Sequence, residues 1–236
     1  MKTPQAGGGK TGIILLLALL LLICRSGQAQ GDFQNLDFEN PVLPLNIDIN
    51  TVSASTAIPG WTPYIGPANN PTYEIASLFY DTISLGGVGL SFHDANVNNI
   101  GPSPIQGSYS VLLQGASSIY GSPEMQWSAS IGQTATISST AESLTYWSGG
   151  GALQVTFNGL PIDFLVTGSG AGYTIYSADI SAYAGQNAQL LFTAPVNSYA
   201  LLDNIQFSSS PVPEPGGFAL TALGTVLFGC RRWKRL

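Results

Sequence analysis

The middle of this chain contains no basic side chain. All seven Lys and Arg residues of the 236-residue sequence lie before residue 26 or after residue 230, and only 8% of the residues are charged. A soluble domain usually has about 25% charged residues. Nucleic-acid binding needs a basic surface that displaces phosphate counterions, so the composition excludes a nucleic-acid partner.

Cysteine and histidine are also scarce. The two cysteines are Cys24 and Cys230, near the two ends, and His93 is the single histidine. The span between the cysteines therefore predicts no internal disulfide and no thiolate metal site. One histidine disfavours a zinc site, and a Ser-His-Asp triad would have to use His93, with Asp94 merely its neighbour.

The first 29 residues have the pattern of a secretory signal peptide. Lys2 and Lys10 precede the unbroken apolar run Ile13–Ile23, and Gly27-Gln28-Ala29 is a small-residue cleavage site. Eleven residues are too short to cross a hydrocarbon core of about 30 Å. We expect cleavage after Ala29, with an uncleaved anchor as the alternative. A lipoprotein signal at Cys24 is disfavoured because Ile23, which is not small, precedes it.

Residues 211–236 form a tail with three parts. Pro213-Glu214-Pro215 predicts an extended break, since proline fits neither a helix interior nor a central strand. Phe218–Cys230 predicts a short apolar helix that is marginal for spanning a membrane. The end is basic, with Arg231, Arg232, Lys234 and Arg235. This cluster is expected to stay cytoplasmic.

This tail resembles the PEP-CTERM sorting signal, also catalogued as the ice-binding protein C-terminal domain. The resemblance covers roughly the last 25 residues. It implies export by a Gram-negative bacterium that makes exopolysaccharide, and processing by the membrane enzyme exosortase. The second family name does not imply ice binding, because regular Thr-x-Thr arrays are absent. A plain C-terminal membrane anchor is the alternative.

The stretch 30–210 predicts one all-β domain, a jelly-roll-like β-sandwich. Runs rich in Val, Ile, Thr, Tyr and Phe recur between Gly, Pro, Asn and Ser clusters, and no helical stripe exceeds two turns. Asn158-Gly159 between two such runs predicts a type I′ hairpin, since both turn positions need a positive φ. Many short strands with turn punctuation are typical of sandwiches and jelly rolls.

The domain is similar to galactose-binding-like jelly rolls and related carbohydrate-binding modules. The matching segments are Asn35–Asn40 followed by Pro59-Gly60-Trp61, then Tyr176–Gln186, and finally Leu201–Ile205. The resemblance implies a structural calcium that joins Glu39 to Asp203. Turn-capping acids without an ion are the equally open alternative. The segment between Thr62 and Pro104 departs from the pattern and is expected to be a loop-rich insertion.

Aromatic residues, 10% of the chain, provide candidate ligand contacts. Tyrosine and tryptophan stack on apolar sugar faces while their polar edges remain hydrated. The candidates for polysaccharide binding are Tyr64, Tyr73, Tyr80, Trp127 and Trp147. Core packing is the alternative for each, and Trp61 is expected in the core. Strand alternation predicts that one of Tyr146 and Trp147 faces the core and the other faces outward.

Catalytic signatures are weak. Glycoside hydrolysis needs only two acids at a set separation. The candidates Glu74, Asp81, Asp94, Glu124 and Glu142 lie on separate strands or loops. We therefore expect an exported surface or matrix protein that is not an enzyme, and that binds polysaccharide or contributes structure. A polysaccharide-acting hydrolase or lyase and a purely structural surface protein are the alternatives.

Overall fold

The computed structural model describes residues 29–44, 50–67, 72–97, 101–116 and 126–212. Fourteen strands account for most of these residues. They are β1 (Thr51–Ser53), β2 (Thr62–Pro67), β3 (Tyr73–Glu74), β4 (Ser77–Tyr80), β5 (Gly89–Asp94), β6 (Tyr109–Gln114), β7 (Trp127–Thr136), β8 (Ser143–Gly150), β9 (Gln154–Phe157), β10 (Leu160–Pro161), β11 (Leu165–Gly170), β12 (Tyr173–Asp179), β13 (Asn187–Ala194) and β14 (Tyr199–Ser208). The one α-helix of the described residues, α1, is a single turn at Ala54–Ala57, and a 3₁₀ turn covers Ser181–Tyr183.

The strands form two sheets. The eight-stranded sheet has the order β1-β4-β5-β6-β14-β8-β12-β11, and the six-stranded sheet has the order β10-β9-β13-β7-β2-β3. Neighbouring strands are antiparallel except for the parallel pair β4 and β5. The sheets pack face to face around one hydrophobic core. The predicted β-sandwich is thus confirmed.

Strand alternation explains the core. Leu144 and Tyr146 of β8 are completely buried, as are Leu190 and Phe192 of β13 on the facing sheet. Trp147, on the other face of β8, is only partly buried. The predicted division between Tyr146 and Trp147 is confirmed, because successive side chains of a strand point to opposite faces.

The predicted hairpin at Asn158-Gly159 is also confirmed. Asn158 has φ 48° and Gly159 has φ 79°, and the turn joins β9 to β10 with Phe157 paired to Leu160. Positive φ at both turn positions matches the right-handed twist of the flanking strands.

The segment between Thr62 and Pro104 is not a loop-rich insertion, and this expectation is wrong. It contains β2, β3, β4 and β5, and β5 lies inside the eight-stranded sheet between β4 and β6. Every residue of β5 is buried. Its sequence does alternate, with Leu90 and Phe92 apolar and Ser91 and His93 polar, but the polar side chains are buried as well.

Residues 29–44 close one end of the sandwich. The backbone N–H of Asp32 donates to Thr136 of the six-stranded sheet, and the N–H of Ile205 in the eight-stranded sheet donates to Leu36. The rings of Phe33 and Phe207 stack with centroids 4.9 Å apart. This segment places Glu39 beside the last strand.

Trp61 lies in the core, as expected. It is 4% exposed, and its indole N–H donates to the carbonyl of Asn35 at 2.9 Å. The bond satisfies the polar edge of the ring, which would otherwise be buried without a partner.

Candidate functional site

Glu39 and Asp203 fasten the same loop, residues 105–109. Glu39 Oε1 accepts the backbone N–H groups of Ser108 at 2.7 Å and Tyr109 at 3.0 Å. Asp203 Oδ2 accepts the N–H of Gln106 at 2.8 Å. Glu39 in the first segment and Asp203 in the last strand therefore both bind the 105–109 loop, which lies between them in the sequence.

The loop reaches Glu39 because residue 107 is glycine. Gly107 has φ 65°, and a Cβ at this position would lie 2.2 Å from Glu39 Oε1. Any other side chain would displace the carboxylate, so glycine provides both the left-handed backbone and the space.

The negative charge of Asp203 is energetically unfavourable in this site. Its side chain is completely buried, and burial, together with a smaller contribution from the nearby Glu39 carboxylate, raises its pKa to about 7. Backbone N–H donors, including those of Gln106 and Asn204, act in the opposite direction. Desolvation is the largest effect, as expected for a carboxylate with no cation beside it.

The site could provide a calcium ion with two carboxylate groups, those of Glu39 and Asp203. Calcium takes six to eight oxygen ligands, so backbone carbonyls or water would have to supply most of the remaining positions. Within the described ranges, no group of three or more His, Cys, Asp or Glu side chains could hold a metal. The calcium bridge between Glu39 and Asp203 stays a prediction, tested below.

Two of the candidate acids, Asp81 and Asp94, lie together near Tyr80. The backbone N–H of Asp94 donates to Asp81 Oδ1 at 3.0 Å, and the hydroxyl of Tyr80 donates to Asp94 Oδ2 at 2.9 Å. Asp94 Oδ1 accepts the backbone and side-chain N–H groups of Asn96. Both acids are more than nine-tenths buried, so this arrangement has the form of a structural turn and not of an open acid pair. Glu124 lies outside the described residues.

His93 is a core residue. It is completely buried, Gly101 packs against its ring, and neither ring nitrogen has a hydrogen-bond partner among the described residues. Nδ1 lies 3.8 Å from Asp81 Oδ1, beyond hydrogen-bond distance. Burial lowers the pKa of His93 to about 4, so the imidazole is neutral at physiological pH.

The structure pairs two of the five candidate aromatic residues. The rings of Tyr73 and Trp127 stack with centroids 5.5 Å apart and planes 13° apart. Tyr73 lies on the edge strand β3 and is 57% exposed. We call these two rings the Tyr73–Trp127 platform. An exposed, stacked aromatic face of this kind is suited to stacking against a sugar ring.

Trp147 belongs to a different pair. It stacks on Tyr173 of β12, with centroids 4.6 Å apart, on the outer face of the eight-stranded sheet. A Cβ at Gly170 would lie 2.2 Å from the ring of Tyr173, so Tyr173 covers the neighbouring strand β11. The Tyr173 ring therefore contacts Trp147 and covers the backbone of β11 at Gly170, so that side of the ring is not free to stack on a ligand.

The other two candidates are not on either pair. Tyr80 is partly buried, with its hydroxyl bonded to Asp94, and burial with that bond raises its pKa above its usual range. Tyr64 lies on β2 next to Ile65, which packs against the core, so the two side chains point to opposite faces. The five residues therefore do not form one site.

Sequence reasoning missed a cavity between the sheets. It has a volume of about 440 Å³, and Tyr146, Tyr176 and Phe164 line it together with Asp163 and Thr156. Tyr176 and Phe164 contact the ring of Tyr146 at 5.1 and 5.0 Å between centroids. The aromatic content of β8 and β12 was visible in the sequence, but only the tertiary structure brings β9 beside them to form this pocket, which is open to solvent.

The predicted export and sorting segments lie largely outside the described residues. Residues 1–28 and 213–236 are not described, and these ranges include Pro213, Glu214, Pro215, Arg231, Arg232, Lys234 and Arg235. In the described part of the chain, no helix is both long and apolar enough to cross a membrane.

No known protein family and no curated protein matches this sequence. Solved structures that are similar to this chain include the following two. One is the enzymatically active domain of tailspike protein 4 of bacteriophage CBA120, at 15% identity and a TM-score of 0.36, over 68% of this chain and 21% of the phage chain. The other is the catalytic unit of the GH87 α-1,3-glucanase of Streptomyces thermodiastaticus, at 17% identity and a TM-score of 0.30. That match covers 54% of this chain and 28% of the glucanase chain. The matched region thus spans between a fifth and a third of the length of each of these two chains.

These findings correct one expectation. The sequence predicted that the protein is not an enzyme, because the domain has one histidine, no lysine and no identifiable acid pair. Both of the structures described above are catalytic or enzymatically active domains, which contradicts that prediction. The prediction that the protein is not an enzyme is therefore wrong.

Proposed function

We propose that this protein is exported to the cell envelope or extracellular matrix and binds a polysaccharide there through the Tyr73–Trp127 platform. The observation that carries the proposal is the stacked pair with Tyr73 57% exposed on an edge strand. Large exposed aromatic rings are costly to leave in water, so a ring held open in this way suits a ligand that stacks on it.

The charge of the domain narrows the ligand class. No Lys or Arg lies between Ser26 and Cys230, whereas twelve acidic residues lie between 30 and 210. Uronic acids, sulfate and phosphate groups would be repelled by this field and would find no basic partner. The proposed ligand is therefore an uncharged glycan.

Delivery to this location is part of the proposal. The signal peptide over residues 1–29 would direct export, and the PEP-CTERM-like tail over 211–236 would direct sorting by exosortase or hold the protein at the membrane. Both rest on the sequence patterns and on the resemblance described above.

The proposal is tested by binding. The purified protein would be titrated with dextran and with carboxymethyl-dextran of equal size, and with exopolysaccharide extracted from the producing cells. We expect binding to an uncharged glycan and none to the carboxymethylated polymer. Tyr73→Ala and Trp127→Ala should each weaken binding about tenfold, the equivalent of about 1.4 kcal/mol.

Tyr199→Ala is the matched control, because Tyr199 is 60% exposed and has no stacked ring among the described residues. Equal losses in Tyr73→Ala and Tyr199→Ala would refute the platform. Binding to none of the three polymers would favour the purely structural alternative. Reducing-sugar release, measured on the same mixtures, would show whether bound glycan is also cleaved.

A further inference from the structure

The two sheets end in four edge strands of very different character. β1 has three residues, and β3 and β10 have two each, with Pro161 in β10. Short edges and proline are two ways in which proteins prevent edge-to-edge pairing. β11 differs because it has six residues, contains neither proline nor charge, and is largely exposed. Leu165 and Val166 in it are 54% and 61% exposed.

We propose that β11 pairs antiparallel with β11 of a second copy of this chain, which joins two eight-stranded sheets into one. The sequence of β11 is Leu-Val-Thr-Gly-Ser-Gly, large at its beginning and small at its end. Antiparallel pairing about its centre places Leu165 opposite Gly170 and Val166 opposite Ser169. Large side chains of each copy thus meet small residues of the other.

The two faces of the strand support this register. Leu165 and Gly170 lie on one face, because they pair with Ser177 and Tyr173 of β12, while Val166 pairs with Tyr176 on the other face. Leu165 of each copy would therefore lie over Gly170 of the other, beside the Tyr173 ring that covers this glycine. The contact removes an exposed leucine and part of an aromatic ring from water.

A bulge favours a second copy over an unrelated strand. The pairing of β11 with β12 shifts register between Val166 and Gly168, which leaves Thr167 as the extra residue. Bulges protect edges because a regular strand cannot follow them. In the proposed pairing the bulge lies at the two-fold axis, so each copy presents the same irregularity at the same place.

Charge sets the conditions for this association. No charged residue lies between Phe164 and Ala178, so the contact itself is electrically neutral. Asp163 and Asp179 flank it, and the rest of the domain is acidic, so two copies repel at long range. Salt screens that repulsion without weakening apolar contacts, and the dimer should therefore strengthen as salt is added.

Sedimentation velocity of the protein purified after export tests the proposal. At about 0.5 M NaCl the Debye length is less than half of its value at about 0.1 M. We expect a dimer whose fraction rises with concentration and with salt. Val166→Lys should raise the dimer Kd about tenfold or more, since lysine on an edge opposes pairing. Leu85→Lys, at an 88% exposed loop residue, should leave it unchanged.

A cross-link tests the register. In a chain with Cys24 and Cys230 replaced by serine, Val166→Cys with Ser169→Cys should give a disulfide-linked dimer on oxidation. The two positions are three residues apart on one strand, too far to bridge within a copy. Val166→Cys with Gly170→Cys is the out-of-register control. A protein that stays monomeric in salt, a dimer unaffected by Val166→Lys, or equal cross-linking of both double variants would overturn the proposal.

Discussion

Glu39 and Asp203 show how a residue's role depends on what meets it. Each carboxylate accepts backbone N–H groups of the 105–109 loop, which contributes no charged side chain of its own. Asp203 is completely buried, whereas Glu39 is partly accessible. The pair therefore holds the loop against the last strand, at the cost of placing two negative charges close together.

A divalent ion would relieve that cost, which leads to the first prediction. Calcium that binds only the native state stabilises it by RT ln(1 + [L]/Kd), about 2.7 kcal/mol at a hundredfold excess over Kd. Millimolar calcium should raise the melting temperature, and Glu39→Ala or Asp203→Ala should remove most of the gain. Sodium chloride at matched ionic strength is the control, because it only screens. Equal shifts with both salts would leave Glu39 and Asp203 as loop-fastening acids without an ion.

The second prediction concerns pH, because two buried groups respond in opposite directions. The pKa of Asp203 is raised from 3.8 to about 7, so stability falls as pH rises through this interval. The pKa of His93 is lowered from 6.5 to about 4, so stability is lost as pH falls through that interval. The two slopes oppose each other between about pH 4 and 6.5.

Single substitutions should separate these slopes. The free energy of unfolding of each variant is compared with that of the unsubstituted protein. As pH rises from 4 to 7, Asp203→Asn should become more stable relative to it. As pH rises from 4 to 6.5, His93→Leu should become less stable relative to it. Each difference should approach at most about 1.4 kcal/mol per pH unit, the value for one proton. Urea unfolding at several pH values measures them. Asparagine also loses a hydrogen bond, but that loss is independent of pH. Parallel curves for all three proteins would contradict the assignment.

At the scale of the element, most of the runs rich in Val, Ile, Thr, Tyr and Phe are strands, whereas the strands between Thr62 and Pro104 were missed. The run Tyr109–Gln114 coincides with β6. β3 has two residues and β4 has four, too short for a pattern, while β2 contains Pro63 and Pro67. β5 does alternate, with Leu90 and Phe92 apolar and Ser91 and His93 polar, and the sequence prediction missed this pattern.

The β9–β10 hairpin gives the third prediction. Gly159 has φ 79°, and no atom lies within 4 Å of where its Cβ would be. Gly159→Ala therefore costs only conformational energy, about 1–2 kcal/mol for an L-residue in this region. Denaturant unfolding measures the loss. Gly159→Asn is the control and should lose less, because asparagine tolerates positive φ. An alanine variant as stable as the parent would mean that the turn has another conformation.

At the scale of the whole molecule, acidic residues lie along the middle of the chain, whereas the basic residues lie only near its two ends. The seven basic residues are confined to the predicted signal peptide and tail, where positive charge is expected to remain on the cytoplasmic side. The domain must then stay compact without an internal salt bridge to Lys or Arg. Its stability depends on the apolar core and on backbone hydrogen bonds to its acids.

The fourth prediction tests the tail. Replacement of Pro213, Glu214 and Pro215 by alanine should leave the precursor retained in the membrane fraction and unprocessed, because the sorting enzyme is expected to read this motif. Intact mass and cell fractionation measure the outcome. Replacement of Ser209 and Ser210 by alanine, just before the motif, is the control and should process normally. Unchanged mass and location in the first variant would refute the sorting role.

The sequence by itself determined local features of this protein. Runs rich in β-branched and aromatic residues identified most strands, and strand alternation required Tyr146 and Trp147 to face opposite sides of the sheet. Asn158-Gly159 identified a hairpin, since positive φ at two successive positions is a property of those residues alone. The absence of Lys and Arg from the middle of the chain predicts that nucleic acid is not a partner, and this stays a prediction.

Only the tertiary structure decided which residues meet. Tyr73 and Trp127 stack because β3 and β7 both pair with β2, and Asp81 lies near Asp94 because β4 and β5 run parallel. Neither strand order nor register is encoded locally. Both follow from the packing of the two sheets around one core, and a register shift of one residue would turn every side chain of a strand to the opposite face.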